Sequence, residues 1–146
     1  MTDEPIPQDH LLAVTGRRVA AVQSGDLEAV MAALVDEPVF DFYPLGLRLA
    51  GSADVRRYYE RFLSDVIPRS QGSLVGAYVG SAEVAFEFVT EVADPERGVE
   101  TFRILAVQPV VGDRVAGERL YCPERYVRVI VGDELWSLLG PIPTAG

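Results

Sequence analysis

The chain has 146 residues, 49% of them hydrophobic and 24% charged, with a formal net charge of −9. That length suits one domain with a single sizeable core, and the composition excludes a disordered chain. The 13 basic residues are all arginine and are outnumbered by 22 acids, which excludes the basic stripe needed for phosphate backbones or an anionic membrane surface.

Single residues exclude more. Cys122 is the only cysteine, so no intramolecular disulfide can form. His10 is the only histidine and lies near the N-terminus, so a histidine-based catalytic set or multi-histidine metal site is not expected. The carboxylates lack metal-loop spacing, and neither metal nor cofactor is expected. Arg56, Arg57 and Arg61 cluster on one helix, but Glu60 and Asp65 dilute them into a solvated face. No apolar run approaches the roughly 20 residues of a membrane span. The acidic start Met1-Thr2-Asp3-Glu4-Pro5 lacks the features of a signal peptide, so the cytoplasm is the expected location.

In chain order, residues 1–8, with Pro5 and Pro7, form a lead-in. Residues 9–23 follow a helical period with Leu11, Leu12, Val19 and Val22 near one stripe. Gly25 ends that helix, and Ser24 or Asp26 caps a second one running from Leu27 to Leu34 or Val35. Residues 39–43 form a short strand with Phe40 and Phe42 on one face and Asp41 and Tyr43 on the other. Pro44 and Gly46 turn the chain into residues 47–49. Ser52 then caps a strongly periodic helix through Val55, Tyr58, Tyr59, Phe62, Leu63 and Val66, stopped by Pro68.

The remainder alternates with period two. Strands are expected at 73–79, 83–92, 100–110 and 114–122. Val84, Phe86, Phe88, Thr90 and Val92 share one face, with Glu83, Glu87 and Glu91 opposite. Phe102, Ile104, Ala106 and Gln108 share a face of the next strand. Pro123 opens a helix over 124–131, with a further short helix over 133–139 carrying Trp136. Helices followed by an antiparallel meander give an α+β layout, a curved antiparallel sheet packed on N-terminal helices. Such a sheet leaves a concave interior where ligand sites form.

Three stretches then resemble a known superfamily. Ala20-Ala21-Val22-Gln23-Ser24-Gly25-Asp26-Leu27-Glu28-Ala29-Val30 resembles the opening of nuclear transport factor 2-like (NTF2-like) proteins. So do Ala50-Gly51-Ser52-Ala53-Asp54-Val55-Arg56-Arg57-Tyr58-Tyr59 and Gly112-Asp113-Arg114-Val115 leading into Glu118-Arg119-Leu120-Tyr121. The nearest resemblance is to SnoaL-like and ketosteroid isomerase-like members. It implies one domain over residues 1–146, with a core of about 9–140 and a cone-shaped α+β barrel. It also implies a pocket for a small hydrophobic ligand and a homodimer formed through the sheet's outer face.

The resemblance does not carry over the family's catalytic groups. The isomerase base falls at Phe42 or Tyr43, its oxyanion tyrosine at Arg18 and its protonated aspartic acid near Leu105 or Ala106. Tyr59 alone matches a pocket tyrosine. The cyclase acid falls at Pro123, in the run Tyr121-Cys122-Pro123, and the Asp-Arg-Asp set of limonene epoxide hydrolase-like members finds no clear place.

The remaining candidates come from the chain itself. Glu118 shares parity with Leu120 and Cys122 and is expected on the concave face as an acid or base, unless it pairs on the outer face with Arg103 or Arg114. Asp41 and Tyr43 are the other catalytic candidates. Tyr59, Phe86, Phe88, Thr90, Phe102, Gln108 and Leu120 are the candidate ligand-binding residues. Three readings stay open: an acid–base enzyme of isomerase, cyclase or hydrolase type, a non-catalytic binding module, and a dimeric interaction domain.

Overall fold

A computed structural model describes residues 4–144. Helix α1 (Gln8–Ser24) stops at Gly25, and Asp26 caps α2 (Leu27–Ala32) by accepting the Ala29 N–H at 3.1 Å. The buried stripe of α1 is Leu11, Val14, Thr15, Arg18 and Ala21. It is rotated from the expected one, since Leu12 is exposed and Val19 only half-buried. This rotation carries an arginine into the interior.

The next strand starts earlier than the sequence suggests. β1 spans Leu34–Tyr43 and is followed by β2 (Leu47–Ala50). Residues 34–38 hide their strand character because β1 shifts register there: Leu34 pairs with Val115 and Val39 already with Gly117. Five residues of β1 thus run against two of its neighbour. Pro38, which has no N–H to give to a ladder, lies inside this irregularity. Gly117 is what lets the strands close up there. Its φ is 148°, and a Cβ on it would sit 1.8 Å from the Val39 carbonyl oxygen.

Helix α3 (Ser52–Arg61) continues as a π-helical turn (Phe62–Val66) and a 3-10 turn (Ile67–Arg69). Strands β3 (Ser70–Val79), β4 (Glu83–Asp94), β5 (Gly98–Val111) and β6 (Arg114–Tyr121) follow, each paired antiparallel to the next. Helix α4 (Glu124–Trp136) is interrupted at Gly132, where two helices were expected to meet, and β7 (Gly140–Pro141) ends the described chain.

The seven strands are ordered β3-β4-β5-β6-β1-β2-β7. The sheet is mixed, not wholly antiparallel, because β1 runs parallel to β6. Helix α1 packs on β3, β4, β5 and β6, while α3 packs on β1, β2 and α4. Buried apolar residues of helices and strands form one continuous cluster. The fold is α+β, a curved sheet holding helices against its inner face. No helix among the described residues is long and apolar enough to cross a membrane.

Two glycines test this account. Gly117→Ala should cost upwards of about 3 kcal/mol by prying β1 from β6. Gly16, inside α1 with nothing within 4 Å of an added Cβ, should gain roughly 0.5–1 kcal/mol on change to Ala. Urea denaturation of both variants measures the contrast.

Candidate functional site

Strand parity decides which side chains face inward. Along the parallel pair, Phe40 lies beside Glu118 and Phe42 beside Leu120, while Asp41 lies beside Arg119 and Tyr43 beside Tyr121. Phe40, Phe42, Glu118 and Leu120 are all buried. The inner faces of β3, β4, β5 and β6, with α1, α3 and α4, line a cavity of about 350 Å³. Its wall is largely apolar: Phe86, Phe88 and Leu120 from the sheet, Val19 and Val22 from α1, Tyr58 and Phe62 from the α3 segment, Tyr126 and Ile130 from α4. Its polar groups include Arg18, Thr90, Gln108 and Glu118.

Glu118 is 5% exposed, and its Oε2 accepts from Arg18 Nη2 at 2.7 Å. Among the described residues no protein donor engages the other carboxylate oxygen. Arg18 also donates to the Tyr59 hydroxyl, from Nε at 3.1 Å and from Nη2. Burial pushes the Glu118 carboxyl above its usual range, and the Arg18 guanidinium opposes that rise without cancelling it. Burial would lower Arg18, but Glu118 and Tyr59 hold it above its ordinary value, so it stays charged. The result is a carboxylate of raised basicity, oriented by a fixed cation and bordering apolar space.

The tyrosines stay neutral. Burial pushes Tyr59 up to about 12 against the lowering effect of Arg18. Tyr58 and Tyr126 are raised by burial as well. Burial also takes the Cys122 thiol up to about 12, which suits a buried hydrophobe and not a nucleophile.

Gln108 is 1% exposed and borders the cavity, yet its Oε1 has no hydrogen-bond partner. Its backbone stands one step beyond the Val107–Arg119 pair, where the β5–β6 register shifts. Gln108 and Glu118 both lie within this irregular stretch and both border the cavity.

Not every expected residue joins this site. Asp41 and Tyr43, the alternative catalytic candidates, are on the other face of β1, as their parity implies, and do not border the cavity. Asp41 takes a two-pronged ion pair from Arg48, at 2.7 and 3.0 Å, and Tyr43 stacks on Tyr121 with ring centroids 5.2 Å apart. Tyr59 and Phe102 face inward but lie behind the cavity wall, Tyr59 bonded to Arg18 and Phe102 packed on Tyr126. Phe86, Phe88, Thr90, Gln108, Glu118 and Leu120 do border one cavity. The alternative partners of Glu118 are occupied on the outer face, Arg103 by Glu87 and Arg114 by Asp36. Arg18 and Tyr126 were not candidates. The signal for Arg18 was its place seven residues after Leu11 and four after Val14, on one helical stripe.

A larger, open depression of about 540 Å³ lies by the β1 irregularity, lined by residues of β1, β5 and β6 that include Glu37 and Glu118. Asp36, Asp41 and Arg119 there are each committed to an ion pair, so the smaller inner cavity is the better place for chemistry. Among the described residues no three His, Cys, Asp or Glu side chains gather as a metal site would require.

A mixed sheet wrapped on helices with one inward cavity defines the NTF2-like fold. Solved structures agree. An LEH-like epoxide hydrolase of M. tuberculosis superposes with TM-score 0.66 at 18% identity, over 86% of this chain and 98% of that one. An NTF2-like protein from Anabaena variabilis gives 0.66 at 19%, over 85% and 95%. A candidate polyketide cyclase from Xanthomonas campestris gives 0.62 at 17%, over 86% and 98%. No protein-family model matches the chain, and no curated protein matches it.

The buried ion pair makes two predictions. Arg18→Met or Glu118→Leu alone should each cost about 3–5 kcal/mol in urea denaturation, while the double variant should be near neutral or more stable. The folded state holds the Glu118 proton more tightly than the unfolded chain does. Wild type should therefore lose stability, relative to the double variant, as pH rises from the ordinary 4.5 through the raised folded value. Denaturation midpoints across that window measure the slope.

Proposed function

We propose that the chain is a small-molecule acid–base enzyme in which Glu118 is the proton acceptor and Arg18 positions it. The observation that carries this reading is the buried Glu118 carboxylate, held by Arg18 through one oxygen at the border of an apolar cavity. A ligand C–H or O–H bond placed against the free oxygen would break, with the proton passing to Glu118. Return of that proton to another ligand atom completes an isomerisation with no co-reactant. Desolvation raises the carboxylate's basicity, and general acid–base assistance of this kind contributes roughly 10²–10⁴-fold.

The fold-level likeness to an epoxide hydrolase and to a candidate polyketide cyclase supports chemistry on a small molecule. The family's acid positions carry no acid in this chain, so the reading rests on Glu118 of β6 and on this chain's own geometry. A homodimer across the sheet's outer face is part of the proposal. Exposed Tyr78, Val99, Val111 and Tyr121 on that face support it.

Solvent-deuterium incorporation tests the reading. Neutral one- and two-ring ketones and hydroxyketones are incubated with the protein in D2O and followed by mass spectrometry. The expected result is incorporation into at least one compound, reduced about 100-fold or more in Glu118→Gln with ligand affinity retained. Incorporation that is equal in the variant removes Glu118 as the proton acceptor, and its absence throughout in a protein that binds these compounds leaves a non-catalytic binding module.

A further inference from the structure

We propose that Tyr126 of α4 is a second catalytic residue, its hydroxyl donating a hydrogen bond to the carbonyl oxygen of a ligand whose neighbouring C–H meets Glu118. This rests on reading Glu118 as the proton acceptor and adds the group that answers the charge its action creates. When the C–H bond breaks and the proton passes to Glu118, the bonding pair forms a C=C bond and the carbonyl pair moves onto oxygen. An enolate oxygen in an apolar cavity is stabilised by a donor already aimed at it. Return of the proton to carbon reverses the shift, so no co-reactant enters.

Tyr126 has the features of such a donor. It is 5% exposed and borders the cavity. Its hydroxyl bonds to no protein group among the described residues, yet it is not one of the sealed, partnerless atoms, which are Gln108 Oε1 and Arg61 Nε. It therefore opens onto the cavity, where a ligand can reach it. The ring itself is fixed. Pro123 opens α4, the Tyr126 N–H donates back to the Pro123 carbonyl at 3.0 Å, and the ring packs on Phe102 of β5 with centroids 5.1 Å apart. Burial first, then the Glu118 charge, hold the hydroxyl above its ordinary pKa, so it stays a donor at neutral pH.

The other donors on this wall are less free. Arg18 is spent on Glu118 and on the Tyr59 hydroxyl. Tyr58, 2% exposed and packed against Phe40, Tyr59 and Phe62, offers less surface to a ligand. The position at which the resemblance places an oxyanion tyrosine is Arg18 of α1, so the donor here comes from α4 instead.

p-Nitrophenol, which ionises to a coloured phenolate, stands in for the enolate, and Glu118→Gln stands in for the protonated acid. Absorbance titrations compare Glu118→Gln with the double variant Glu118→Gln/Tyr126→Phe. The single variant is expected to bind the phenolate and lower the pH at which the probe ionises. Adding Tyr126→Phe is expected to weaken phenolate binding about tenfold or more, while affinity for the neutral 4-nitroanisole changes less than about twofold. Equal phenolate affinity with and without the hydroxyl overturns the inference and leaves the anion to Arg18. Equal loss of both probes assigns Tyr126 to packing and overturns it too. Tyr126→Phe in otherwise wild-type protein keeps the ring and is expected to melt with wild type; melting far below it overturns the inference. In D2O that variant is expected to exchange ketone hydrogen about 100-fold more slowly at saturating ketone, with KM little changed. This comparison does not depend on how well Glu118→Gln folds. The two readings separate. A tenfold phenolate effect without deuterium exchange keeps the Tyr126 contact and removes Glu118 as proton acceptor. Exchange that needs Glu118 but is unchanged in Tyr126→Phe does the reverse. Failure of both probes to bind overturns this inference together with the cavity as the ligand site.

Discussion

The Arg18–Glu118 ion pair is the constraint around which the interior is arranged. It joins α1 to β6 across 100 residues of sequence. Each charge leaves water to make it, and only the partner and the Tyr59 hydroxyl offset that cost. An apolar pair of similar volume would fill the same space without the penalty. A fold that keeps the ions therefore keeps them for something other than stability. The proposed acid–base role would supply the reason, since the carboxylate borders the apolar cavity.

The sheet makes this arrangement possible. Parallel pairing of β1 with β6 places Phe40 beside Glu118 and closes one side of the acid with an aromatic ring. That pairing needs the irregularity at residues 34–39 and the bare backbone of Gly117 opposite it. On the far side, the β5–β6 register breaks just after Val107–Arg119, so Gln108 and Glu118 stand where the ladder opens. Both polar groups thus sit next to a defect in sheet pairing. Irregular pairing often re-aims side chains beside functional sites.

The strands and their inner faces were legible because a half-buried sheet writes its burial in alternate residues. Val84, Thr90 and Val92 on β4, and Phe102, Ile104 and Gln108 on β5, are buried as that alternation requires. The strand at residues 34–38 was not legible, because its pairing slips and Pro38 falls inside it, masking the period. Parity told inside from outside but could not tell cavity wall from packed core. Tyr59 and Phe102 face inward as expected and yet end behind the wall. Asp41 and Tyr43 followed their parity to the outer face, where Arg48 and Tyr121 occupy them. The partner of Glu118 was out of reach of sequence reasoning, since nothing local links residue 18 to residue 118. The α1 stripe is one position off the simplest apolar reading, and that small rotation determines whether Arg18 meets water or Glu118.

The most direct test is the titration of Glu118 itself, followed by carboxyl-carbon NMR with Glu118→Gln to assign the signal. A desolvated acid gives an apparent pKa clearly above the ordinary glutamate value of 4.5, moving further when a neutral ring compound fills the cavity and removes its water. A value at or below the ordinary one, unmoved by such a compound, would describe a solvated salt bridge. It would contradict a desolvated acid–base group at the centre of this fold.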